Sequence, residues 1–200
     1  IYLPYKPHRK TRADLAREQG YEPLAKAIFE QKISLDRINP GIPVTPGTPN
    51  WETALQGARD IIAEWISQDE HARNDIRREF SYTATITTKL IKGKESDPEA
   101  QKYRDYFAIN EPLRRISSHR LLAIRRAESE GFIRVDISPD TEKALDKLAH
   151  RFLRSSSDTS YQVELAMEDS YKRLLKPAIE TEFAASSKES KYDHIPAQSE

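Results

Sequence analysis

From Trp51 to Ile66 the apolar residues fall at spacings of three and four: Trp51, Ala54, Leu55, Ala58, Ile61, Ile62, Trp65 and Ile66. That period matches the helical turn, so the stretch predicts a long amphipathic helix with Asn50 as its N-cap. Just before it, residues 34–50 hold Pro40, Pro43, Pro46 and Pro49 together with Gly41 and Gly47. Proline removes a backbone donor and fixes φ, so neither a helix nor a central strand can run through, and the segment reads as a connector. A chain built this way folds by laying other elements on the apolar stripe of the 51–66 helix.

Those elements are mostly helices. Thr11 with Asp14 resembles a capping arrangement, Ala13, Leu15 and Ala16 supply a short stripe, and Gly20 stands where a helix would end. Pro23 then opens a second helix through Leu24, Ala25, Ala27, Ile28 and Phe29. Residues 1–33 thus form a basic arm and a helix-turn-helix-like pair, although Leu24, Ala25, Ala27, Ile28 and Phe29 leave the second helix few polar side chains to read base edges, so the pair reads as structural. Asp69 caps a charged helix through Ile76 to Phe80. Residues 82–92, YTATITTKLIK, and 132–138, FIRVDIS, are rich in β-branched residues and predict a small two-stranded antiparallel ribbon. Between them, Asp97-Pro98 starts a short helix, Asn110 to Pro112 a turn, and Ser117 or Ser118 caps a helix to about Glu130. Pro139 and Asp140 with Glu142 start another, facing inward with Ala144, Leu145, Leu148, Phe152 and Leu153. A last helix follows from Asp158 or Thr159, with Tyr161, Leu165, Ala166, Tyr171, Leu174 and Leu175 inward and a kink or restart at Pro177. The expected fold is mainly α: residues 51–185 form a helical domain with a small ribbon, and residues 186–200 a polar tail. The Ile1 start and that tail suggest a piece of a longer chain.

Composition excludes several function classes. Without cysteine there is no disulfide, thiolate zinc site or cysteine nucleophile. No apolar run approaches a bilayer-spanning length, which predicts a water-soluble, cytoplasmic chain with no membrane partner. Only six glycines are present, and none falls in a phosphate-cradling loop. The five histidines are scattered with no i, i+4 pair, and Ser117-Ser118-His119 lacks the strand-turn-helix context of a nucleophile elbow. No metal, cofactor or enzymatic activity is expected. The 32 basic and 32 acidic residues cancel, so any polyanion contact must come from a local patch.

Two such patches stand out. Residues 1–20 carry Lys6, Arg9, Lys10, Arg12 and Arg17 against Asp14 and Glu18, with Tyr2 and Tyr5 interleaved. Residues 110–126 carry Arg114, Arg115, Arg120, Arg125 and Arg126 against Glu111 alone. Arginine binds phosphate bidentately and stacks on bases, so both patches are candidate nucleic-acid surfaces. The competing reading is that these arginines pair with acids of their own fold, for which residues 50–80 carry an acidic excess.

Four stretches, IYLPYKPHRKTRADLAREQGYEPLA, KGKESDPEAQKYRDYF, EPLRRISSHRLLAIRRAESEG and YKRLLKPAIETE, occur in this order over residues 1–183. Together they resemble the bacterial Tex family of transcription accessory proteins, in the helical region ahead of an RNase-H-like domain. The resemblance implies a non-catalytic scaffold within a large cytoplasmic nucleic-acid-binding protein, whose partners are RNA or DNA, the remaining domains of the parent chain and transcription machinery. It assigns no catalytic role to Ser117, His119 or Arg120. The alternative is a protein-interaction or interdomain packing module with no nucleic-acid binding of its own.

Overall fold

The structure, a computed structural model, describes residues 9–39, 41 and 44–189, with side chains to residue 183. Residues 1–8 of the expected basic arm, among them Tyr2, Tyr5 and Lys6, lie outside the described residues, as does the tail beyond residue 189. In chain order the elements are α1 (Arg12–Glu18), α2 (Glu22–Glu30), α3 (Trp51–Gln68), α4 (Glu70–Thr83), β1 (Thr85–Leu90), β2 (Asn110–Pro112), α5 (Ser118–Ser129), β3 (Ile133–Ser138), α6 (Thr141–Phe152), α7 (Asp158–Ser170) and α8 (Lys176–Glu189). With eight helices against three short strands among the described residues, the fold is mainly α. It divides into two units: Ile1–Arg73 with Leu145–Leu175, and Asn74–Ala144 with Lys176–Glu200.

In the first unit α3 is the spine. Its buried residues, among them Ala54, Leu55, Ala58, Ile61, Ile62, Ala63 and Ile66, reach well beyond one narrow stripe, because α1, α2 and α7 all pack against it. Small residues set how closely they approach. Gly57 faces the Tyr21 ring, and a Cβ built there would stand 2.4 Å from Tyr21 Cδ2. The α1 start is a complete capping box, in which the Asp14 N–H donates to Thr11 Oγ1 and the Thr11 N–H to Asp14 Oδ2. Gly20 then takes φ 85° directly after the C-cap, as a helix-ending glycine does. At the end of α2, Gln31 adopts φ 55° and its carboxamide joins three segments. It donates to the Phe152 carbonyl (2.7 Å) and accepts from the Arg154 N–H (3.0 Å) and the Ser160 hydroxyl (2.7 Å).

The second unit is built on an antiparallel sheet in the order β2-β1-β3. Ile86 on β1 lies opposite Ile137 on β3, and both are buried, with Phe80 and Ile124 also in this unit's core. The sheet has three strands where two were expected. Residues 110–112, read as a turn, pair with β1 through Thr85↔Pro112, Ile86↔Glu111 and Thr87↔Asn110. Three residues ending in proline carry no period-2 pattern; what holds them is Thr88, whose hydroxyl donates to the Tyr106 carbonyl and accepts the Ile109 N–H.

Other expectations shift as well. Tyr82 and Thr83 belong to α4, where the Thr83 hydroxyl donates to the Glu79 carbonyl, so β1 begins later than residue 82. The helix expected from Asp97-Pro98 is a 3-10 segment, Ala100–Tyr106. Neither Asn50 nor Ser117 makes a side-chain cap bond, whereas Asp69 does, accepting the Ala72 N–H. Leu15 and Tyr161 face solvent rather than the core; on α7, Ala166 is buried as expected, and Val163 and Met167 are buried beside it. Near Pro177 the backbone widens to a π-helix at Tyr171–Leu175 before α8 resumes. Pro177 has no N–H to donate, and a π segment is one way to absorb that loss.

Gly57→Ala should destabilise the protein by about 1–3 kcal/mol through overpacking against Tyr21, outweighing alanine's propensity advantage of about 1 kcal/mol. Thermal denaturation by circular dichroism measures it, and an unchanged or raised midpoint would contradict the packing described.

Candidate nucleic-acid interface

The basic cluster of the first unit begins just ahead of α1. Arg9, Lys10 and Arg12 are all exposed. Lys10 is ion-paired with Glu18, whose hydrogen bond raises its pKa above the ordinary lysine value. Arg17 is half-buried and bound to Glu64 of α3 at 2.8 Å, so it fastens α1 to the spine. Arg12 rims a hollow of about 440 Å³ whose lining also includes Leu15, Tyr21, Glu52 and Asp60. Those acids make the hollow a poor phosphate site. This leaves Arg9 and Arg12 as the cations of this cluster that no acid among the described residues holds.

The second cluster is built on β2 and α5. Pro112 closes β2 and a 3-10 turn, Leu113–Arg115, follows, anchored where the Leu113 N–H donates to the Ala84 carbonyl at 2.9 Å. Arg114 and Arg115 project from this turn and are exposed. Arg120, one turn into α5, makes a bidentate pair with Glu111 of β2, Nη1 to Oε2 at 2.7 Å and Nη2 to Oε1 at 3.0 Å. The Arg120 hydrogen bonds hold the Glu111 carboxyl below its usual range, and Glu111 in turn raises Arg120. A bidentate pair fixes orientation as well as distance. It therefore ties both ends of the segment carrying Arg114 and Arg115 and presents that turn to solvent. Arg125 is paired with Glu128 at 2.9 Å, while Arg126 is exposed. The solvent face of α5 runs through His119, Leu122, Arg126 and Ser129, with Leu122 46% exposed.

Of the ten basic residues of the two patches, Lys6 lies outside the described residues. Lys10, Arg17, Arg120 and Arg125 are ion-paired, and Arg9, Arg12, Arg114, Arg115 and Arg126 are exposed cations. Sequence reading missed one feature. On the outer face of the sheet Lys89 lies directly opposite Arg134, both exposed, at the rim of a groove of about 620 Å³ that also includes Thr87, Asn110 and Asp136. Like charges opposed across two strands oppose pairing, so the position favours an anionic neighbour. Only the register reveals it, because the two residues are far apart in sequence.

The exposed guanidinium groups suit ionic contact. Ser117 Oγ stands 3.5 Å from His119 Nδ1 on an exposed helix start, longer than the usual reach of a nucleophile–base pair of about 2.6–3.2 Å. No group of three or more metal-ligating side chains occurs among the described residues. No helix among them is long and apolar enough to cross a membrane.

These features sit on a fold with known relatives. The family model described as Tex central region-like matches residues 38–189. Protein tex of Bordetella pertussis (strain Tohama I) is 39% identical over 150 residues, covering 71% of this chain and 18% of that protein. The transcriptional accessory protein Tex of Neisseria gonorrhoeae is 37% identical over 136 residues, 68% of this chain and 18% of that protein. S1 RNA-binding domain-containing protein 1 of Pongo abelii is 26% identical over 197 residues, 92% of this chain and 20% of that protein. The class is thus that of the Tex central region, a helical piece spanning about a fifth of its curated relatives. The chain belongs to the Tex family.

The Glu111 carboxylate, its pKa depressed by Arg120, contributes stability above the ordinary carboxylate pKa of about 4.3 and loses it as pH falls below that value. Urea unfolding at pH 7 and pH 3 should therefore show the wild type losing more of its midpoint on acidification than Glu111→Gln does. Equal losses would mean the pair contributes nothing. Separately, Lys89→Glu turns the cross-strand repulsion into an attraction and should raise stability by about 0.2–1 kcal/mol, read as a higher urea midpoint.

Proposed function

We propose that this chain is a non-catalytic helical scaffold of a cytoplasmic, nucleic-acid-binding transcription accessory protein, and that its exposed arginines contact the phosphate backbone without reading sequence. The observation that carries the reading is the Arg120–Glu111 clamp, which holds the Arg114–Arg115 turn open to solvent. A bidentate pair that orients two further arginines suits a surface whose partner is anionic. Arg126 on the α5 ridge extends that surface, and Arg9 and Arg12 form a separate one. The names of two relatives support the reading, one as a transcriptional accessory protein and the other as carrying an S1 RNA-binding domain. Phosphate contacts of this kind steer and position, while sequence is read elsewhere.

A second reading has its own observation. Leu122 stands 46% exposed in the middle of the α5 ridge, where an apolar side chain suits a protein partner or another domain of the longer chain. Salt separates the two, since phosphate binding releases counterions and weakens steeply with salt while an apolar interface barely responds.

The test is fluorescence anisotropy of the chain with single-stranded RNA, single-stranded DNA and duplex DNA at roughly 50 and 200 mM salt. Arg114→Ala with Arg115→Ala should lower affinity uniformly across sequences and flatten the salt slope by about one unit for each phosphate no longer neutralised. Arg9→Ala with Arg12→Ala should do the same for the first unit's cluster. Salt-independent binding, or none, would leave the protein-interaction reading standing.

A further inference from the structure

Helix α4 buries one face with Ala72, Ile76 and Phe80 and turns another outward. On the outward face the residues follow a spacing of four: half-buried Asn74, then exposed Arg78 and Tyr82. Residues spaced this way lie one above the other, with Cβ atoms about 5–6 Å apart. Tyr82 is 70% exposed, and the Arg78 side chain, whose nearest acid oxygen is 3.8 Å away on Asp75, is 68% exposed.

Neighbouring bonds fix the geometry of this ridge. Arg77 is gripped by Glu182, with Nε and Nη2 at 2.8 and 2.9 Å from its two carboxylate oxygens. Its Nη1 donates to Asn74 Oδ1 at 2.8 Å. That bond assigns the Asn74 oxygen inward, toward Arg77, so the amide NH2 is the end left to donate. Asn74, Arg77, Arg78, Ser81 and Tyr82 together line a hollow of about 310 Å³.

A single exposed tyrosine is ordinary on a protein surface. Here an aromatic face, a solvent-exposed guanidinium and an oriented amide donor converge on one hollow, and the combination matches the parts of a nucleotide. The phenol ring offers a stacking plane for a base, Arg78 a charge for its phosphate, and the Asn74 NH2 a donor to an acceptor on the base edge. A base inside a duplex is stacked on its neighbours and cannot present its face, so the match is to an unpaired nucleotide.

We propose that the Asn74–Arg78–Tyr82 ridge is a stacking site for an unpaired base of a single-stranded nucleic acid. The inference rests on the nucleic-acid reading above and adds a site with a different chemistry, stacking rather than charge alone. Tyr82 places little surface in the core, so its replacement leaves the fold intact.

The experiment titrates the whole 200-residue chain into a single-stranded oligonucleotide carrying 2-aminopurine, whose fluorescence falls when it stacks on an aromatic ring, alongside anisotropy with an unlabelled-base single strand and with a duplex. The wild type should quench the probe. Tyr82→Phe should keep the quench and the affinity, since stacking does not need the hydroxyl. Tyr82→Ala should abolish the quench and bind the single strand about five- to one-hundred-fold more weakly, with duplex affinity unchanged. Should Tyr82→Ala match the wild type while Arg114→Ala with Arg115→Ala weakens binding, the stacking site is wrong and the phosphate reading survives. Equal weakening on single strand and duplex would also overturn it. A wild type that binds no nucleic acid at low salt ends both.

Discussion

The α3 helix is the constraint on which the first unit depends. An ordinary surface helix hides one stripe, but α3 meets α1, α2 and α7, and its small residues, Ala54, Gly57, Ala58 and Ala63, let those helices come near. Polar bonds then fix what packing leaves free. Arg17 of α1 reaches Glu64, and the Ser170 hydroxyl at the end of α7 donates to the Ala63 carbonyl at 2.7 Å, satisfying itself inside the core. Chain order adds a cost. The α7 residues that cover α3 arrive more than 90 positions after it, with the whole 74–144 segment intervening, so this core closes only when a long loop has been ordered. Loop-closure entropy grows slowly with length, so the arrangement takes little from stability while slowing its formation.

In the second unit the sheet plays the same part by different means. β2 is too short to hold by its own ladder. It is kept in place by the doubly bonded Thr88 hydroxyl on one side and by Glu111 gripping Arg120 on the other. The same strand therefore serves the fold and the surface: its carboxylate orders α5, and the turn that leaves it carries Arg114 and Arg115 outward. The β3 edge is also treated, since the Glu180 carboxylate accepts the Ile137 N–H at 3.3 Å. Occupying an edge donor with a side chain is one way of discouraging unwanted strand addition.

How much of this was legible in the sequence follows from how local each signal is. The α3 period, the Thr11–Asp14 capping box, the Asp69 cap and the glycine stop at Gly20 are settled within a few residues, and all four appear in the structure. The β-branched runs revealed β1 and β3 because packing on one face enforces alternation. Strand β2 was not legible, since its partners lie some 25 positions away and its three residues have no period of their own. Tyr161 and Leu15 were misplaced for a related reason: an apolar residue on a helix is placed inward only if a neighbour arrives to cover it, and none does among the described residues. At the candidate interface, the clusters of arginine were visible but not their division. The Arg125–Glu128 pair follows from its i,i+3 spacing on one helix, but whether Arg17 and Arg120 are held by their own fold depends on where Glu64 and Glu111 stand in space, which spacing does not tell.

That division is what gives the surface its character. Among the arginines of residues 110–126, two are paired by their own fold, Arg120 with Glu111 and Arg125 with Glu128, and three, Arg114, Arg115 and Arg126, are exposed. Pairing the first two takes some positive charge from the patch, yet it removes the freedom of the segment that bears Arg114 and Arg115. Flexible segments give up entropy when they bind, so anchoring the backbone beneath these cations lowers the cost of binding. On the phosphate-contact reading proposed above, a chain with no net charge meets a polyanion through a local patch rather than through its overall field.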